Sequence, residues 1–275
     1  MGFCKKSAWA LCCALFFVPA AMASTTGQCE KLFQAMQYRK AVPICRKAAA
    51  QGDAVAESAL GFLYALGHGV PQDYAKAAYW TRKATAQGDA AAEYNLGILY
   101  NNGRGVPQDH AKAAYWYRKA AAQGYAAAER NLGALYVSGR GVPQDYAKAA
   151  YWTRKAAAQG DAAAEAILGL LYDNGRGVPQ DYVKAAYWYR KAAAQGVDTA
   201  ENNLGSLYTL GRGVPQDYVT AAKWFIVAKA SGSPAASKRL NIVERRMTRS
   251  QIAMAQQRAE QWWAAHHKTT RAHRR

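Results

Sequence analysis

The side chains able to carry covalent or acid–base chemistry are few, and their spacing does not assemble a catalytic set. Of five histidines, none stands in an HExxH arrangement that would place two zinc ligands and a general base on one helix face. His68 and His110 are isolated, and His266, His267 and His273 crowd the end of the chain. Glu57, Glu93, Glu129, Glu165 and Glu201 do line up. A carboxylate returning at every interval is read as a structural partner for arginine or backbone groups, not as a single active-site acid. SxxK and KTG, the marks of serine β-lactam chemistry, are missing, and Tyr100-x-Asn102 and Tyr172-x-Asn174 fall at helix ends. No catalytic residue, metal site or cofactor is expected; what remains is recognition chemistry.

The elements that would present such chemistry are set by a period of 36 residues. The stretch GVPQDYAKAAYWTRKATAQ at Gly69–Gln87 returns from Gly105, Gly141, Gly177 and Gly213, each time preceded by Leu-Gly-x-Leu-Tyr. A period of roughly 20 to 50 residues marks a stacked solenoid, in which no unit buries its apolar face alone. Five units are expected at 53–88, 89–124, 125–160, 161–196 and 197–232. Residues 24–52 match only the second half of a unit and are read as a degenerate N-terminal cap, with Pro43 starting or bending its helix.

In the first unit, a helix is predicted from about Ala54 to Leu66, capped by Asp53 and stopped by a left-handed Gly67. A second helix is predicted after Asp73, running toward Gly88. Five of the eight prolines stand at one position of the loop between them, so the all-α reading survives them. At 100° per residue, Ala56, Leu60, Leu63 and Tyr64 share one arc and form the core face. The recurring Gly61 sacrifices about 1 kcal/mol of helix propensity, which implies close approach of a neighbouring helix. Trp80, Trp116, Trp152, Trp188 and Trp224 are assigned to the core and not to a sugar-stacking ladder. Lys76, Tyr79 and Lys83 mark an outer face, which could follow a polyanion or be simply solvated.

The opposite arc of the first helix varies inside a sequence that otherwise copies itself. It reads Val55, Ser58, Phe62, Ala65 and Leu66, then Ala91, Tyr94, Ile98, Asn101 and Asn102, then Arg130, Ala134, Val137 and Ser138. The fourth unit has Ala166, Leu170, Asp173 and Asn174, and the fifth Asn202, Ser206, Thr209 and Leu210. Such variation implies a face not packed by the next unit. First helices usually line the concave side of a helix-pair superhelix. The stripe is therefore the candidate binding groove, the alternative being an idle solvated face.

The run Leu-Gly-x-Leu-Tyr-x-x-Gly-x-Gly-Val-Pro-x-Asp, followed by Ala-Ala-x-Trp and Ala-Ala-x-Gly, resembles the Sel-one-like repeat family, relatives of the tetratricopeptide repeat, across residues 53–232. The resemblance implies a right-handed αα superhelix acting as an adaptor for a protein or peptide ligand. It also implies that Asn95, Asn131 and Asn203, bordering the stripe, hydrogen-bond an extended peptide backbone, although Ala59 and Ile167 interrupt that row. Some cysteine-rich members of the family are linked to β-lactamase activity or penicillin binding. A cell-wall binding protein or hydrolase acting on peptidoglycan or β-lactams is therefore the alternative.

The ends of the chain speak to location. Lys5 and Lys6 precede an apolar run from Ala8 to Val18, and Ala21-Met22-Ala23 fits a signal-peptidase site, so residues 1–23 read as a leader cleaved after Ala23. The run falls short of the ~20 apolar residues of a membrane anchor. Export to a periplasm or beyond is expected. Cys4, Cys12 and Cys13 leave with the leader; Cys29 and Cys45 remain, either as a bridge between two helices of one hairpin or as two buried thiols. The formal charge of +18 is concentrated at the ends, since residues 53–232 hold 19 bases against 15 acids while residues 233–275 hold ten against two. Nucleic acid is accordingly not an expected partner. Closing helices are expected over 233–267, with Thr248 and Gln251 as a capping box and Ile252, Ala255, Ala259 and Trp262 as a sealing stripe. The basic tail 268–275 could contact peptidoglycan or an anionic envelope surface.

Overall fold

The computed structural model describes residues 20–266, in which every regular element is an α-helix. The chain divides into two compact units, Met1–Gln87 and Gly88–Arg275. Of the expected leader, residues 1–19 lie outside the described residues, as do 267–275 with the basic tail.

The first unit holds α1 (Ala20–Gln34), α2 (Tyr38–Ala50), α3 (Ala54–Leu66) and α4 (Tyr74–Thr85). A disulfide joins Cys29 on α1 to Cys45 on α2, with both sulfurs fully buried. Helix α2 starts at Tyr38 and continues through Pro43. The proline sits early in the helix, where it forfeits one backbone hydrogen bond; packing of Ala41, Val42 and Cys45 into the core offsets that loss. Asp53 caps α3 by accepting from the Ala56 N–H at 2.7 Å, and Gly67 ends it at φ 72°.

The second unit repeats that hairpin and then closes it. Its helices are α5 (Ala90–Asn102), α6 (His110–Ala122), α7 (Ala126–Ser138), α8 (Tyr146–Ala158), α9 (Ala162–Asn174), α10 (Tyr182–Ala194), α11 (Asp198–Leu210), α12 (Tyr218–Ala230), α13 (Pro234–Glu244) and α14 (Arg249–His266). Odd helices α5 to α11 each bury one leucine completely, at Leu96, Leu132, Leu168 and Leu204. Each such side chain contributes roughly 1.5–3 kcal/mol of burial. Close hairpins need glycine at two places. A Cβ on Gly97 would lie 2.5 Å from the Tyr117 ring, and one on Gly141, whose φ is 71°, would collide with the backbone of His110 in the preceding hairpin. The first glycine lets two helices of one hairpin touch, and the second lets one hairpin seat on the last.

A buried glutamate ties the two helices of every repeat hairpin but the last. Glu93 accepts from Gln123 at 2.8 Å and lies 2.9 Å from the Lys119 ammonium; Glu129 does the same with Gln159 (2.8 Å) and Lys155 (3.1 Å), and Glu165 with Gln195 (2.9 Å) and Lys191 (2.8 Å). In the first unit Glu57 is held by Gln87 and Lys83. The partners are thus lysine and glutamine, not the arginine the spacing suggested. In the last hairpin Val227 and Ser231 take those two positions, and neither oxygen of the buried Glu201 has a well-formed hydrogen bond. Trp116, Trp152 and Trp188 are only half-buried, each edge-on to an exposed tyrosine at about 5 Å, so they seal the margin of the core. Trp224 alone of that row is buried, against Trp262 of α14. Thr248 and Gln251 bond reciprocally at 2.8 and 3.2 Å to open α14, and Ala255 and Ala259 bury its apolar stripe. The architecture is an all-α solenoid of αα-hairpins.

Candidate binding face on the first helices

The variable stripe lies on α3 in the first unit and on α5, α7, α9 and α11 in the second. On α3, Ser58 and Ala65 are half-buried, and Phe62 packs edge-on against Phe33 of α1 at 5.4 Å. The chain's own first helix therefore covers that part of the stripe.

In the second unit, several variable side chains meet the next hairpin. The Tyr94 ring lies 5.0 Å from Tyr125 and 5.8 Å from Tyr117, with Ile98 packed on the same cluster. Arg130 reaches the Asp161 carboxylate at 3.0 Å. Ala166 and Val197 pack on one core cluster, and Asn202 and Ser233 are both buried. These pairs stand at the same two positions of successive hairpins and match in kind: aromatic with aromatic, cation with anion, apolar with apolar, polar with polar. Tyr125 and Val197 break the row of aspartate caps: Tyr125 packs on the Tyr94 ring, and Val197 on the core cluster that Ala166 also joins. The expectation that variation means an unpacked face fails at these positions, because the residues vary in step with their neighbours. It holds at Val55, Leu66, Asn102, Ala134, Ser138, Leu170, Asn174 and Leu210, which are exposed.

The remaining stripe residues are half-buried. Thr209 and Ser206 donate to carbonyls of their own helix, and Ser206 also accepts from Arg239 of α13 at 2.7 Å. Asp173 accepts from the Tyr189 hydroxyl at 3.3 Å, and burial raises its carboxyl above the usual range. Asn203 also hydrogen-bonds Tyr189, whose hydroxyl is pushed up by burial and by the Asp173 charge. Asn95 is half-buried beside them in the row, and Val137 supplies an apolar interval.

One pocket gathers the stripe's polar residues. A cavity of about 320 Å3 is lined by Asn101, Tyr117, Asn131, Ala134, Leu135, Ser138 and Arg140. Arg140 donates to Nε2 of His110 at 2.8 Å, and Nδ1 of His110 lies 3.1 Å from the Asn101 carbonyl oxygen. A guanidinium can only donate. Nε2 must therefore be the acceptor, and Nδ1 carries the proton that Asn101 receives. Burial pushes the Tyr117 hydroxyl up to about 12, opposed by a hydrogen bond from Asn131. His110, Tyr117 and Arg140 were not among the expected site residues. The signal was present, since His110 replaces a tyrosine and Tyr117 a threonine of neighbouring copies. A larger cavity of about 530 Å3 lies between α12 and α14, lined mostly by apolar side chains such as Ile226, Val227 and Ala259, with Gln256, Glu260 and Trp263. Among the described residues no cluster of metal-binding side chains occurs, and no helix is long and apolar enough to cross a membrane.

Comparison with known proteins follows the same lines. The Sel1 repeat family model matches residues 54–89, 90–125, 126–161, 162–197 and 199–233. A Sel1 repeat protein from Oxalobacter formigenes, solved by crystallography, aligns with a TM-score of 0.76 at 33% identity, covering 84% of this chain and 96% of that one. The protective antigen c5321 of uropathogenic Escherichia coli, which displays an SLR fold, aligns with a TM-score of 0.62 at 29% identity over 90% of this chain and 62% of that one. No curated protein matches the chain.

Proposed function

The chain belongs to the Sel1 repeat family, and from that membership we propose that it is an exported scaffold which binds another protein or a peptide along the variable stripe of its first helices. The Sel1 repeat fold is generally a protein–protein interaction scaffold and generally non-catalytic. The observation that carries the reading is the contrast between the two sides of each first helix. Leu96, Leu132, Leu168 and Leu204 repeat without change on the buried side, while the other side offers exposed Leu170 and, lining the polar pocket, exposed Ala134. Export and removal of residues 1–23 belong to the same proposal; the Cys29–Cys45 disulfide fits a non-cytoplasmic protein. Contact of the basic tail with peptidoglycan or an anionic envelope surface is a secondary element of it.

Replacing Tyr94 or Arg130 would disturb hairpin stacking, so the test uses two exposed positions, Ala134 and Leu170. Ala134→Glu and Leu170→Glu are expected to lose crosslinked partners from the native envelope while keeping the wild-type circular dichroism and melting. Retention of the same partners by both variants would place binding on another face. Turnover of nitrocefin by the purified mature chain, or its retention on peptidoglycan, would support the cell-wall reading instead.

A further inference from the structure

We infer that the pocket between α5, α6 and α7 is a carboxylate site, and that the peptide ligand presents a terminal or side-chain carboxylate there; this rests on the peptide-binding reading above. The argument is a count of which polar atoms are already used. Arg130 Nε donates to the Asn131 carbonyl oxygen at 3.3 Å while its Nη1 holds Asp161 at 3.0 Å, which fixes the orientation of the Asn131 amide. The NH2 of Asn131 therefore faces Tyr117, and a hydrogen bond from it to the phenol oxygen leaves the phenol's own proton free to donate. The Asn101 carbonyl oxygen is occupied by His110, and its NH2 gives one proton to Asn102 at 3.0 Å, leaving the second. Arg140 has spent one N–H on a neutral imidazole and no carboxylate lines the cavity. The acceptors of Asn101 and Asn131 are thus satisfied within the protein, and apart from the Ser138 hydroxyl, whose proton goes to the Ala134 carbonyl of its own helix, the side-chain polar groups lining the cavity are donors.

A ligand group that satisfies donors alone is an anion with several lone pairs. A single guanidinium beside neutral amides and a phenol suits a carboxylate; a phosphate dianion normally calls for clustered cations. The equivalent constellation two hairpins later shows the contrast. There Asp173 stands in place of Asn101 and accepts the Tyr189 proton itself, so an internal carboxylate already satisfies the phenol. One hairpin on, Val137, Thr153 and Ile167 take the places of Asn101, Tyr117 and Asn131, and Arg176 lies over the Tyr146 ring at 5.3 Å. Of these three positions, only the one at Asn101 gathers a phenol, two amides and a guanidinium with no carboxylate among them.

The test follows the side-chain amide resonances of Asn101 and Asn131 by NMR during titration of the full mature chain. The probes are N-acetyl-trialanine as free acid, the same peptide as its amide, and N-acetyl-alanyl-aspartyl-alanine amide. The inference expects saturable shifts with the free acid, the aspartyl amide or both, which also tells the terminal from the side-chain source, and none with the trialanine amide. Arg140→Gln should weaken the response about tenfold or more. Asn101→Asp, which borrows the residue the array itself uses at 173, should abolish it with melting unchanged. Arg176→Gln should leave it intact. Equal shifts with the trialanine amide, or no saturable response to either carboxylate, would overturn the carboxylate assignment. If partner capture still falls in the Ala134 and Leu170 variants while this titration is silent, the peptide reading stands and the carboxylate site does not.

Discussion

At the scale of single residues, the array exposes what each side chain contributes by changing it in one copy. Glu201 is the clearest case, because its lysine and glutamine partners have become Val227 and Ser231. Burial raises its carboxyl from 4.5 to about 7, opposed by a hydrogen bond from Ser231 and reinforced by the nearby Asp198 charge. A raised folded-state pKa on an acid means the native state binds the proton more tightly, so stability falls as pH climbs from about 4.5 through about 7 and stays lower above that. Glu201→Gln removes the proton dependence, and its melting temperature should decline less than wild type between pH 5 and pH 8. The difference corresponds to about 1–3 kcal/mol at pH 8; identical pH profiles would mean the carboxyl is solvated or paired in solution. Arg130 and Asp161, 3.0 Å apart and mostly shielded, test the matched-pair account of stacking. A double-mutant cycle to alanine should return a coupling of about 1 kcal/mol, whereas additive effects would reduce the match to coincidence.

At the scale of helices and loops, hydrogen-bond chemistry confined to one turn was fully legible in the sequence. Asp53 and Asp73 cap their helices, Gly67 ends α3 in the left-handed region, and Thr248 with Gln251 opens α14. Each of these depends only on residues a few places apart. Contacts set by the stacking of one hairpin on the next were not legible, since Tyr94 and Tyr125, or Arg130 and Asp161, meet only once the register of two hairpins is fixed. A helical wheel drawn for one helix cannot supply that register. The same limit left the lysine and glutamine partners of the glutamates unread, and put half-buried tryptophans in the core. The recurring helix glycine was read correctly, and Gly97→Ala makes it quantitative. The new methyl would gain about 1 kcal/mol of helix propensity but press on the buried Tyr117 ring. A net loss of about 1–3 kcal/mol is expected in urea unfolding, and a neutral or stabilising result would show that the ring has room to move.

At the scale of the whole molecule, the N-terminal unit leans on a crosslink and the array on its face. Opening the Cys29–Cys45 disulfide releases a short loop, which in the chain-entropy account costs about 3 kcal/mol. Reduction should therefore raise amide exchange in α1 and α2 first, and unchanged exchange there would show that packing alone holds them. The central claim, that the variable stripe receives a protein or peptide, is tested most directly by placing a photo-crosslinking amino acid at Leu170 and, separately, at Val183, which is exposed on α10. In the native envelope the account predicts a discrete, competable crosslinked species from position 170 and none from position 183. The same species from both positions, or from 183 alone, would contradict it.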